Sequence, residues 1–236
     1  VSRIAIAHMF GGDTTEGAFD EAIRHSITKM AHLHFVTNES SARRVCQLGE
    51  DPDCVFNVGT PAIDQIRAIQ LLDRQALERE LSFHFRPRNL LITYHPVTLG
   101  TESALNQFEE LLTALEKLGE ETGLIFTRPN ADPEGRALIA RLNDFVARNE
   151  NARAYDSLGQ LRYLSTLAQV DAMVGNSSSG LYEAPSFAIP TVNIGDRQKG
   201  RLQPSSVFNC PAEAGAISQT LDAALAADCS NTLNPY

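Results

Sequence analysis

With 236 residues, the chain is long enough for one large domain or two small ones with their own cores. Its composition, 43% hydrophobic and 21% charged with no low-complexity tract, is that of an ordinary globular protein, and no apolar run reaches the roughly 18–20 residues of a membrane span. A net charge of −9 argues against a broad nucleic-acid or membrane surface, but not against one local phosphate site. The opening VSRIAIAHMF is too short, and too soon followed by acids, to be a signal peptide. Cys46, Cys54, Cys210 and Cys229 show no CxxC pair, which suits free thiols in a reducing cytoplasm. Residue 1 stands at the brink of an apolar run and Asn234-Pro235-Tyr236 is turn-like, so a longer protein is expected.

In chain order, Arg3–His8 reads as a buried strand that opens into a Gly-rich acidic loop, Gly11–Gly17. Asp20–Ala31 has helical apolar spacing, Leu33–Thr37 reads as a strand, and Glu39–Leu48 as a helix ending at Gly49. Val55–Val58 is a third strand, followed by a helix near Ile63–Leu71. After the polar stretch Ser82–Asn89 the alternation restarts with strand Leu90–Tyr94 and helix Glu102–Glu120. Strand Leu124–Thr127, helix Pro133–Arg148, a strand near Ala152–Tyr155 and a helix near Gln160–Gln169 follow. Strand Asp171–Val174, helix Gly180–Phe187, strand Thr191–Ile194 and a helix over about Ala212–Ala226 complete the pattern. Such alternation implies an α/β protein with doubly wound parallel sheets. The expected division is 1–60 as part of one Rossmann-like domain, 61–88 as linker and helices, and 89–236 as a complete second domain. Ligands of such sheets bind beyond the carboxyl ends of the strands, where most of the unusual motifs fall.

The most specific motif is Gly175-Asn176-Ser177-Ser178-Ser179-Gly180, between a strand and a helix. Small residues, hydroxyls and free amides suit a phosphate; the plainer reading is a helix N-cap. Glu183, one turn on, can accept hydrogen bonds from vicinal ribose hydroxyls or merely complement the helix dipole. Asp196-Arg197-Gln198-Lys199-Gly200-Arg201 gathers three cations at a strand end, as a pyrophosphate site or a solvated basic loop would. His95, held extended by Pro96, is a candidate acid, base or phosphate donor, or a structural histidine. In the acidic loop, Asp13, Glu16, Asp20 and Glu21 lie close in sequence, and their repulsion would raise at least one pKa for acid–base work. A metal site there is discounted for want of a second clustered histidine or cysteine, and no GxGxxG fingerprint points to a redox cofactor. Arg24 and His25 can neutralise the acids or touch substrate.

Together, HMFGGDTTEGAFDEAIRHSITKMAHLHF, CQLGEDPDCVFNVGTPAIDQI, YHPVT, GNSSSGLYEA and NIGDRQKGR resemble the hydrolysing UDP-N-acetylglucosamine 2-epimerases of sialic acid synthesis. They are also similar to the non-hydrolysing bacterial enzymes. The resemblance implies a GT-B-like fold whose C-terminal domain holds UDP, with no cofactor and no metal. It implies that Ser177 and Ser178 hold the diphosphate, Glu183 the ribose, and that Arg197 and Asn130 line the nucleotide site. It assigns catalysis to His95 and Asp20, with Glu21 and Arg24 in the same helical turn. Relatives of the human type carry a glutamate where this chain has Phe10, so that role would pass to Asp13 or Glu16, or be absent. The expected substrate is UDP-GlcNAc or a related UDP-sugar, the expected assembly a homo-oligomer (dimer or tetramer), and the expected location cytoplasmic. Further strands ahead of residue 1 and a closing helix are expected on the same resemblance.

Overall fold

The computed structural model describes residues 4–16, 20–96, 103–129 and 133–236, which carry two all-parallel sheets. The smaller sheet runs β1 (Ala7–Met9), β2 (Leu33–Val36), β3 (Val55–Asn57), with His8 opposite His34 and Phe35 opposite Phe56. Helices α1 (Asp20–Met30) and α2 (Glu39–Gln47) connect these strands. Asn38 starts α2 by accepting the Ser41 amide at 2.9 Å, one of the donors a helix start leaves open. β1 is shorter than the RIAIAH run suggests: strand pairing begins at Ala7, and Ile4 and Ile6 are exposed.

Helices α3 (Pro61–Ala68) and α4 (Arg74–Leu81) lead into β4 (Arg88–Thr93). Then follow α5 (Ala104–Glu116), β5 (Thr122–Thr127), α6 (Pro133–Arg148), β6 (Ala152–Tyr155), α7 (Gly159–Leu167) and β7 (Ala172–Gly175). α8 (Ser179–Tyr182), β8 (Thr191–Ile194), β9 (Val207–Cys210) and α9 (Ala214–Ala226) close the chain. The larger sheet has the order β6-β5-β4-β7-β8-β9. The chain builds outward from β4 to β6, then returns to the other side of β4, so the order reverses between β4 and β7.

Side chains of these strands alternate between two cores. Leu90, Ile92, Leu124 and Phe126 point into the layer of α5, α6 and α9, where Phe108 and Phe145 are buried. Leu91, Ile125 and Met173 point the other way, onto Leu77 and Leu81 of α4 and Leu164 and Leu167 of α7. Burying each such side chain contributes about 1.5–3 kcal/mol. Within the segment 61–88, α4 packs on α7, and the Leu72 amide donates to Ser165 Oγ at 2.9 Å.

Two expectations need correction. The helix expected over Gly180–Phe187 is broken into α8 and a 3₁₀ turn, Ala184–Phe187, because Pro185 lacks an amide and crowds the preceding turn. β9 is an edge strand beyond β8 that the apolar pattern does not announce. Among the described residues, no helix is long and apolar enough to cross a membrane.

Candidate functional site

The crevice at the reversal point is shaped by Gly175. Its φ is 136°, and a Cβ there would lie 2.0 Å from the Thr93 carbonyl oxygen, so only glycine lets β7 end this close to β4. Asn176 follows, fully buried. Its Oδ1 accepts the His95 amide at 2.8 Å, and its Nδ2 donates to the His95 carbonyl at 2.8 Å. The Asn176 carbonyl in turn accepts from Arg197 Nη1 at 3.0 Å and Gln198 Nε2 at 2.7 Å. One asparagine therefore joins the histidine loop, the serine loop and the basic loop, and fixes the backbone on which His95 is mounted. Burial, then the nearby Arg201 charge, lowers the pKa of Arg197, while Asp20 at the start of α1 partly offsets both.

Ser177 Oγ accepts the Ser179 amide at 3.3 Å, and Ser178 lines a cleft of about 460 Å³ between the units. Phe10 and Arg24 line it from the smaller unit, Glu183 and Arg201 from the larger, and Gln65 of α3 lines it as well. Burial raises the Glu183 pKa. Its Oε2 is buried without a hydrogen-bond partner, and so is Arg201 Nη1. Because α8 is a single turn, the serine loop offers hydroxyls rather than the dipole of a long helix.

The acidic loop does not present four equivalent carboxylates. Asp13 is buried, and its oxygens accept from Thr37 Oγ1, Ser41 Oγ and the Tyr182 hydroxyl, each at 2.7 Å. Glu21 Oε2 accepts the Thr15 amide at 2.7 Å, and Oε1 lies 3.5 Å from His25 Nε2. Arg24 directs its donors at loop oxygens, the Asp13 carbonyl at 2.9 Å and Thr15 Oγ1 at 3.3 Å. Asp20 is exposed. Opposite, Arg201 donates to the Thr14 carbonyl at 3.3 Å and Thr15 Oγ1 at 3.1 Å, and the Glu16 amide donates to the Lys199 carbonyl at 3.2 Å. The basic and acidic loops thus dock on each other. Asn130 lies outside the described residues. Sequence reasoning gave no role to Asn176, Tyr182, Gln198 or Arg201 individually. A buried polar residue just past a strand-end glycine is the one signal that could have singled out Asn176.

Two parallel α/β units facing a shared cleft, with strand-end motifs of both lining it, define the class as a GT-B-like two-domain architecture. The whole chain, residues 1–236, matches the UDP-N-acetylglucosamine 2-epimerase family, and the protein belongs to it. It is 42% identical over 208 residues to the GDP/UDP-N,N'-diacetylbacillosamine 2-epimerase (hydrolyzing) of Campylobacter jejuni, covering 88% of this chain and 54% of the relative. It is 39% identical over 215 residues to polysialic acid biosynthesis protein P7 of Escherichia coli, covering 91% and 54%. The chain therefore spans about half the length of these relatives. In fold it is similar to the S. aureus MnaA structure with UDP, at TM-score 0.76 and 15% identity, covering 99% of this chain and 64% of that one.

Proposed function

We propose that the whole protein is a hydrolysing 2-epimerase that converts UDP-N-acetylglucosamine to N-acetylmannosamine and UDP, for sialic acid or a related nonulosonate. The observation that carries this reading is the pair of unpartnered buried groups, Glu183 Oε2 and Arg201 Nη1, lining one cleft. A buried acceptor and a buried cationic donor left open are costly unless a ligand completes them. A nucleoside diphosphate does so, with ribose hydroxyls for Glu183 and phosphate oxygens for Ser177, Ser178 and the arginines. Asn130 joins this nucleotide set on the resemblance alone.

The C2 proton of the sugar is not very acidic, so elimination is the more accessible route. A base, Asp20 or His95, takes the C2 proton; the C2–H electrons form the C1=C2 bond as the C1–O bond breaks and UDP leaves. The charge that develops on UDP falls to the serine hydroxyls and Arg197. Water then adds its hydroxyl to C1 of the 2-acetamidoglucal, and an acid delivers a proton to the opposite face of C2. A second reading, UDP-N,N'-diacetylbacillosamine as substrate, is favoured by the activity for which the 42% identical relative is named.

The test is incubation of the intact protein with each UDP-sugar in D₂O, followed by NMR. Free UDP with a 2-epimeric sugar deuterated at C2 is expected. Intact epimeric UDP-sugar would mean reversible epimerisation, and unchanged substrate would refute the reading. Asp20→Asn should lower turnover by at least about a hundredfold, the scale of losing a general acid or base, with UDP affinity little changed. Normal turnover would return Asp20 to a helix-start acid.

A further inference from the structure

Asp13 sits where the two units touch, and its carboxylate is shared between them. On one side Thr37 and Ser41 donate from the start of α2; on the other Tyr182 donates from the end of α8, 169 residues away. Two of these partners are themselves held. Asn38 Nδ2 donates to Thr37 Oγ1 at 2.9 Å. The Tyr182 ring lies under the Arg201 guanidinium at 5.3 Å and packs tilted against Tyr236, with ring centroids 4.1 Å apart. Gly12, with φ 77°, lets the loop reach α2, since a Cβ there would lie 2.2 Å from the Ser41 carbonyl oxygen. A buried carboxylate that accepts three hydroxyl hydrogen bonds is fixed in place, with three of its roughly four acceptor sites already taken. Burial, then the Asp13 charge, raises the Tyr182 pKa and keeps that phenol a donor.

We propose that Asp13 is a positioning residue: by joining Thr37 and Ser41 to Tyr182 it pins the acidic loop against the UDP-binding unit and sets the width of the substrate cleft. This rests on the UDP-sugar reading above and goes beyond it by removing Asp13 from proton transfer. The pin and a proton-transfer role diverge at Asp13→Asn. Each hydroxyl can reverse its polarity, so an amide can keep the bridge, whereas it can neither take nor give the C2 proton.

The experiment compares Asp13→Ala, Asp13→Asn, Tyr182→Phe and the double variant combining Asp13→Ala with Tyr182→Phe, all in the intact protein. Asp13→Ala and Tyr182→Phe should each lower kcat/KM by about tenfold, the scale of one hydrogen bond to a charged group. Asp13→Asn should stay within about threefold of the parent, and Tyr182→Phe should add nothing further once Asp13 is replaced by alanine, because coupled partners are non-additive. Amide exchange of residues 13–16 and 199–201 should quicken alike in Asp13→Ala and Tyr182→Phe without substrate. An Asp13→Asn variant as inactive as Asp13→Ala, additive losses, or unchanged exchange in both would each overturn the pin. If the parent processes no UDP-sugar, the functional reading fails, and the exchange comparison still decides this one.

Discussion

Glu183 shows how the cleft stores an unmet demand. Its carboxyl is buried with one oxygen unpartnered, and burial holds its pKa above that of an ordinary glutamate. The unfolded chain releases this proton at lower pH than the folded one. Between the two pKa values the folded state binds more protons, so this group lowers stability as pH rises through that window. Glu183→Gln should therefore be more stable than the parent above the window and no different below it, in urea titrations at a series of pH values. The same variant should bind UDP about 1.5–3 kcal/mol more weakly, the worth of a hydrogen bond to a charged group, by calorimetry. One shared pH–stability curve for both proteins would refute the burial argument. His95, Ser178, Glu183 and Arg197 stand out in the sequence as candidates because glycines, serines and charges at strand ends are locally unusual, and Ser178 and Glu183 line the cleft. The parts of Asn176 and Tyr182 are not, because their partners lie 81 and 169 residues away. Asp13 looks like one more loop acid until Thr37, Ser41 and Tyr182, ordinary residues in ordinary segments, are brought around it.

Among the elements, β4 and β7 carry the crevice, and two substitutions separate their structural and ligand roles. Phe126→Ala removes a fully buried ring that packs edge-on against Phe145 with centroids 5.8 Å apart. It should cost about 3–5 kcal/mol of unfolding free energy and leave the UDP affinity of the folded protein unchanged. Gly175→Ala should cost about 1–3 kcal/mol as a strained backbone position, and it should also weaken UDP binding because Asn176 and its three loops move with it. Equal UDP affinity in Gly175→Ala and parent would remove this strand end from the binding site. The parallel strands themselves follow from strand–helix alternation, and Pro133–Arg148 and Thr191–Ile194 can be read from sequence to the residue. The failures have local causes. Val207–Cys210 is four residues long and only partly buried, so no apolar run marks it. The split of Gly180–Phe187 is forced by Pro185, which an apolar-spacing argument passes over.

At the scale of the molecule, the two units are covered unequally. The six-stranded sheet has helices on both faces, whereas the three-stranded unit leaves Ile4 71%, Met30 60%, Val58 54% and Ile23 52% exposed. Exposed apolar side chains of that kind, with Met9, Ile23 and Ile27 gathered around one cavity, mark an interaction face or an aggregation hazard. The relatives are about twice as long as the matched region, and the alternation in residues 1–60 supplies only half a doubly wound sheet. We propose that in the whole protein further strands and helices of the same chain cover this face and complete the sheet. Hydroxyl-radical footprinting checks this directly on the polypeptide 1–236 and on the whole protein. Met30 and Ile23 should label readily in the first and be protected in the second. Met173, 1% exposed between β4 and β8, should resist labelling in both and serves as the internal control for folding. The short polypeptide should also bind an apolar dye such as ANS, with the signal lost in the longer one. Equal labelling of Met30 and Ile23 in both, with Met173 still protected, would mean that the face stays open and must be covered by something other than its own chain.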